Sequence, residues 1–126
     1  MRIHLQQKNR QKNRAGYSET SASGGANIWV GANTGLNSTS GAYNTALGSS
    51  ALQSNTTASN NTAVGYQAGY TNTTGSSGVF VGFQAGNLLT TGTQSTFVGY
   101  LYGGYQQTGN YNTAIGVNSF LGSLTP

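Results

Sequence analysis

The chain has 126 residues, of which only 5% are charged, against roughly 25% in ordinary soluble domains. It contains one acid, Glu19, one histidine, His4, and neither Asp nor Cys, which excludes disulfides and thiolate metal sites. Glu19 is also the only charged side chain from Ala15 to Pro126. Because a surface in water usually carries more charge, we expect much of this surface to contact other copies or a partner.

The segment 1–26 is predicted to form an irregular basic arm that docks or attaches the protein. Its five basic residues, and the candidate docking residues, are Arg2, Lys8, Arg10, Lys12 and Arg14. No apolar run of a secretory signal follows them, and no stretch of the chain is long enough to span a membrane. Since the charges are few and lack interleaved aromatic residues, ordering on docking to a protein is favoured over binding to nucleic acid.

A 17-residue repeat runs through 27–126 without insertion or deletion. It is marked by a glycine column, one glycine per unit: Gly31, Gly48, Gly65, Gly82, Gly99 and Gly116. Low-complexity disorder has a biased composition but no fixed phase. The constant interval therefore predicts an ordered repeat domain over 27–126.

Two apolar columns precede the glycines. The residue directly before each glycine forms the aliphatic column: Val30, Leu47, Val64, Val81, Val98 and Ile115. One position earlier lies the aromatic–alanine column: Trp29, Ala46, Ala63, Phe80, Phe97 and Ala114. Such short, β-branched and aromatic segments are typical of strands.

The repeat predicts an all-β fold, a parallel β-solenoid (β-roll) of six 17-residue coils. A unit of this length is too short for a pair of helices, but it accommodates one strand, a bend at the glycine and a turn rich in Thr, Asn and Gly. Coils stacked at about 4.7–4.9 Å would make a rod about 25–30 Å long. Each coil would contact only its neighbours.

Alternation along each strand places the two apolar columns on opposite faces. We expect the aliphatic column to be the core column and the aromatic–alanine column to be an inter-chain column, because one narrow coil cannot bury both faces alone. The sequence thus predicts a homo-oligomer, with a trimer around a threefold axis as the simplest closed arrangement.

The units NTALGSSAL, NTAVGYQAG and NTAIGVNSF resemble the head repeats of trimeric autotransporter adhesins. They are closer to the NTA(V/I)GYQAG arrays of bacteriophage tail fibres. The resemblance covers 27–126 and implies a left-handed β-roll, trimeric assembly, and use as a rigid spacer or adhesive head. The chain departs from it at Gly78 and Ser95, which replace the Asn, and in a unit longer than the usual adhesin repeat.

No catalytic, metal or cofactor site is expected. General acid–base and triad chemistry need an acid and a base held together, and the repeats contain no Asp, Glu, His, Cys or Lys. Calcium-binding solenoids need columns of Asp, and this chain contains no Asp. The one candidate ligand site is an aromatic column, Tyr66, Phe83 and Tyr100, which could stack sugar rings of a host-surface glycan. Packing of these rings against one another, without a ligand, is favoured.

The sequence-based expectation is a structural virion protein, a trimeric bacteriophage fibre assembled in the host cytoplasm, which binds other virion proteins through its arm. It would serve as a rigid spacer, with host-surface attachment as a further use. The alternatives are a self-polymerising extracellular filament, since solenoid ends expose strand edges, and the head of a bacterial surface adhesin, located at the cell surface.

Overall fold

The structure is a computed structural model that describes residues 17–19, 25–100 and 108–119. The five basic residues of the expected docking arm lie outside the described residues. Seven strands form one sheet in chain order: β1 Tyr17–Glu19, β2 Asn27–Val30, β3 Thr45–Leu47, β4 Thr62–Val64, β5 Val79–Val81, β6 Thr96–Val98 and β7 Thr113–Ile115. The described part of the chain contains no helix.

Strands β2 to β7 are all parallel and pair with a constant 17-residue offset, as in Ala46 opposite Ala63 and Ala63 opposite Phe80. We number the coils 1 to 6 after these six strands. The backbone ladder continues beyond the strands into the turns, where the Leu52 N–H donates to the carbonyl of Ala68 at 3.0 Å. The chain is thus a β-solenoid of about five turns, which confirms the predicted fold class.

Strand β1 does not follow this pattern, because it pairs antiparallel with β2. Tyr17 lies opposite Trp29, and Glu19 lies opposite Asn27. The prediction of an irregular arm over 1–26 is therefore wrong at residues 17–19. The free edge of β2 offers unpaired backbone groups, and β1 satisfies them through its own backbone. Such pairing leaves no apolar periodicity by which the sequence could have revealed it.

The two apolar columns occupy the faces opposite to those expected. The aromatic–alanine column is the interior: Trp29, Ala46, Ala63 and Phe80 are 0% exposed, Phe97 is 3% exposed and Ala114 is 4% exposed. The aliphatic column faces outward: Val64, Val81 and Val98 are half-buried, while Leu47 is 49% and Ile115 68% exposed. The aliphatic column is not the core column. The aromatic–alanine column cannot join chains, because it is already enclosed by its own coils.

Complementary volumes explain why the aromatic–alanine column fits inside. In coils 1, 2 and 4 the residue six positions after the aromatic–alanine column also lies inside the coil. It is a glycine where the column residue is large and a leucine where the column residue is alanine. Gly35 stands beside Trp29, where an added Cβ would lie 2.6 Å from the indole ring. In the next coil the small Ala46 is followed by the large, fully buried Leu52. Close packing of this kind leaves no volume to spare inside a coil.

A buried asparagine ladder closes coils 1 to 3. The Asn27 Oδ1 accepts from the Asn44 N–H at 2.8 Å, and the Asn44 Oδ1 accepts from the Asn61 N–H at 2.9 Å. Each side-chain amide also donates across its own coil, as from Asn44 Nδ2 to the Ala58 carbonyl at 2.8 Å. These bonds satisfy polar groups that would be costly to bury alone.

The ladder stops at Gly78 for a steric reason. A Cβ at this position would lie 2.5 Å from Cζ of Phe80, so that the ring of Phe80 occupies the space of an Asn side chain. The Gly78 N–H still donates to Asn61 Oδ1 at 2.7 Å. The departure of coil 4 from the Asn-containing repeat is thus coupled to its large core residue.

The glycine column is fixed by backbone conformation and by close approach. Its φ angles lie between 113° and 136°, a range that L side chains rarely adopt. A Cβ on Gly31 would also lie 2.7 Å from the carbonyl oxygen of Gly48 in the next coil. The chain therefore bends sharply after each strand.

Candidate interaction surface

The outward side of the sheet is the candidate functional surface, and we call it the strand face. It comprises the aliphatic column and the columns two positions before and two positions after it. The column before contains Ile28, Thr45, Thr62, Val79, Thr96 and Thr113. The column after, beyond the glycine bend, contains Ala32, Ser49, Tyr66, Phe83, Tyr100 and Val117.

The strand face is apolar, partly exposed and uncharged. Ile28 is 48% exposed, and Val117, at the other end of the face, is 71% exposed. The exposed polar atoms contributed by its own side chains are neutral hydroxyls, because no charged residue occurs after Glu19. Apolar side chains left exposed in neighbouring columns are typical of surfaces that contact another molecule.

Three aromatic residues stand on this face in consecutive coils and form the aromatic ladder, Tyr66, Phe83 and Tyr100. The ring centroids of Tyr66 and Phe83 lie 5.3 Å apart with an interplanar angle of 25°. Those of Phe83 and Tyr100 lie 5.4 Å apart with an angle of 8°. The structure thus brings the three predicted residues together as a stack, about half of which is exposed.

The stacking limits what the ladder offers a sugar. A pyranose stacks on the flat face of an aromatic ring, but each face of Phe83 is turned toward a neighbouring ring. The outer faces of Tyr66, toward Ser49, and of Tyr100, toward Val117, are the ones that the ladder does not cover. A continuous three-ring platform is therefore absent from the described structure, and glycan binding stays a prediction confined to two separate ring faces.

Sequence reasoning could have found the outward face from the residues that alternate with it. In NTAVG of coil 3, Asn61 and Ala63 share one side of the strand, and Thr62 and Val64 share the other. Asn61 is buried and bonded, whereas Thr62 is exposed. An Asn side chain can donate and accept hydrogen bonds from coil to coil inside the solenoid. The side of the strand that carries Asn is therefore the inner side.

A second exposed surface, the threonine turn, lies eight and nine positions after each glycine. Its inner hydroxyls bond to the next coil: Thr56 Oγ1 donates to the Thr73 carbonyl, and Thr73 Oγ1 to the Thr90 carbonyl, both at 3.1 Å. Thr57, Thr74 and Thr91 follow as an exposed column. This surface is polar, and its inner hydroxyls are used within the chain.

Within residues 17–19, 25–100 and 108–119 no group of three or more His, Cys, Asp or Glu comes together to hold a metal ion. A search of the same residues finds no helix with the length and hydropathy needed to cross a membrane.

In comparisons with known proteins, no family model, no curated protein and no solved structure matches the chain.

Proposed function

We propose that this chain is a non-enzymatic structural protein of a bacteriophage particle, a homotrimeric fibre in which the solenoid acts as a rigid spacer. The observation that carries the proposal is the uncharged, apolar strand face, which a lone chain leaves exposed to water. The similarity of the repeat units to those of phage tail fibres supports the virion assignment. In this proposal the basic arm binds other virion proteins and so attaches the fibre.

Because the aliphatic column lies outside the coil, the residues proposed to join the chains differ from those expected from the sequence. The contacts between copies are assigned to the aliphatic column and its neighbours on the strand face, instead of the enclosed aromatic–alanine column. Burial of apolar surface drives such association, and the absence of charge removes repulsion between identical chains. A parallel trimer also keeps all three arms at one end, as attachment to a particle requires.

Light scattering of the purified full chain tests the assembly. We expect a mass three times the 13.0 kDa of one chain. The paired change Val64→Asp with Val81→Asp should give monomers that remain folded, because it places carboxylates where identical chains meet and lose water. The matched control, Thr57→Asp with Thr74→Asp, adds the same charge on the threonine turn and should remain trimeric. A monomeric wild type, or two variants that behave alike, would contradict the proposal.

The antiparallel pairing of β1 favours a discrete fibre over a self-polymerising filament. End-to-end growth would continue the parallel stack, but the edge strand at this end is β1, which is three residues long and antiparallel to β2. Electron microscopy of the purified chain separates the two, since the fibre predicts short rods of uniform length and the filament predicts long structures of variable length.

A further inference from the structure

The strand face raises a problem of register, since a repeated surface can associate at several heights. The aliphatic column places Val, Leu or Ile in every coil. The column before it contains Thr in four coils, with Ile28 and Val79 in the other two. If one chain slips along its neighbour by one coil, most of these side chains meet an equivalent neighbour again. These two columns therefore distinguish poorly between correct and shifted assemblies.

The third column of the strand face does not repeat. It begins with the small residues Ala32 and Ser49 in coils 1 and 2, continues with the aromatic ladder in coils 3 to 5, and ends with Val117 in coil 6. The ladder is therefore a single bulky block at a fixed height. Because the rings stack on each other with centroids 5.3 Å and 5.4 Å apart, each ring limits the movement of the next.

We propose that the aromatic ladder is the register determinant of the assembly, the element that holds a second copy of this chain at the same height. This inference rests on the proposed trimer. Contacts around a threefold axis join unlike residues except at the axis itself, so the inference places the ladder of each chain at the axis, where equivalent rings meet at equal heights. In register, the three rings of one chain lie opposite the three rings of its neighbour. After a slip of one coil, a ring at one end of the block faces Ser49 or Val117 and loses its aromatic contact.

The test moves the ladder and asks whether the register follows. The variant Ser49→Tyr with Tyr100→Ser shifts the block down by one coil, to coils 2 to 4. All substituted positions are exposed, so the fold should persist. The wild-type chain has no Cys, so single cysteines report register without background. Chains with the native ladder carry Thr62→Cys, and chains with the shifted ladder carry either Thr45→Cys or Thr62→Cys.

Mixed assemblies are then joined with a short bismaleimide. We expect the shifted chain to link through its position 45 to position 62 of the native chain, about tenfold in preference to the 62–62 link, given the usual strength of aromatic pairs. When both chains carry the native ladder, the preference should reverse. Mixed assemblies that keep the 62–62 link despite the shifted ladder would overturn the inference and assign register to another part of the chain.

A second variant removes the ladder. Tyr66→Ser, Phe83→Ser and Tyr100→Ser together should leave trimers whose 62–62 and 45–62 links form in similar yield. Trimers that stay in register without the rings would contradict the inference but leave the proposed trimer intact. A wild-type chain that is monomeric by light scattering would overturn both, so that the two failures are distinguishable.

Discussion

The strand face and the threonine turn are built on the same 17-residue offset, yet they leave different groups exposed to solvent. On the threonine turn, hydroxyls such as that of Thr73 donate along the solenoid axis to the next coil. On the strand face, side chains such as Leu47 and Phe83 present apolar surface outward. One surface is therefore satisfied within a single chain, and the other leaves apolar side chains exposed.

The role of an exposed column in a solenoid depends on what its side chains bond to along the axis. Polar columns that bond to the next coil stabilise the stack itself. Apolar columns that face outward contribute little to the single chain and much to association. Substitutions inside the coil, on the strand face and on the turn should therefore separate folding from assembly.

The largest expected effect comes from exchanging the two sides of strand β4. In a Val81→Asp background, which keeps the chains apart, Ala63→Asp should cost several kcal/mol and abolish folding, because it encloses an unpaired charge. Val64→Asp in the same background should cost less, about 1–2 kcal/mol, because its carboxylate reaches water but stands directly beside the carboxylate at position 81. Urea denaturation followed by circular dichroism measures both. Equal losses would mean that the inside and outside of the coil are wrongly assigned.

A smaller but more specific effect is expected from the pair Gly78 and Phe80. Phe80→Ala alone should cost about 3–5 kcal/mol, and Gly78→Asn alone about 1–3 kcal/mol, because its side chain meets the ring. Together they recreate the Asn and Ala of coil 3, so the double variant should recover about 1–3 kcal/mol relative to the sum.

Urea denaturation of the four chains gives this coupling, and Trp29→Ala with Gly78→Asn serves as the control. Trp29 lies three coils away, and that pair should be additive. Additivity at Gly78 and Phe80 would show that the two positions do not share one space.

The smallest expected effect compares the two polar ladders. Asn44→Ala should cost about 1–3 kcal/mol, because the buried N–H of Asn61 loses its acceptor. Thr73→Val, on the threonine turn, should cost about 0.5–1.5 kcal/mol, because water can replace the lost bond. The urea midpoints of the two variants measure the difference in stability. A larger loss of stability for Thr73→Val would mean that the threonine turn stabilises the solenoid more than the buried asparagine ladder does.

The solenoid and its register could be predicted from the sequence because the 17-residue interval constrains every column at once. Gly65 and Gly82 mark the bend, and the strands of the structure end directly before them. The inside and outside could not be assigned from apolarity, since Ala63 and Val64 are both apolar. The inside is indicated instead by Asn61, which shares a side of the strand with Ala63, and by volumes such as Trp29 beside Gly35.

The candidate surface could be predicted only in part. Tyr66, Phe83 and Tyr100 share a column, which the sequence shows, but the degree to which one ring covers the next depends on side-chain angles. Strand β1 is not predictable from the sequence, because its pairing with β2 is made by backbone groups. Both features depend on contacts in three dimensions that the aligned repeat units do not show.

The constant 17-residue offset has a consequence for how such a chain can change in length. The parallel strand pairs, and the buried amide ladder, join residues that the same offset brings together. Duplication of one whole unit adds about 4.8 Å to the rod and preserves every column. Any other insertion within a coil displaces the glycine, the core residue and the amide together. The rod therefore keeps all its columns in phase only when its length changes in steps of one coil.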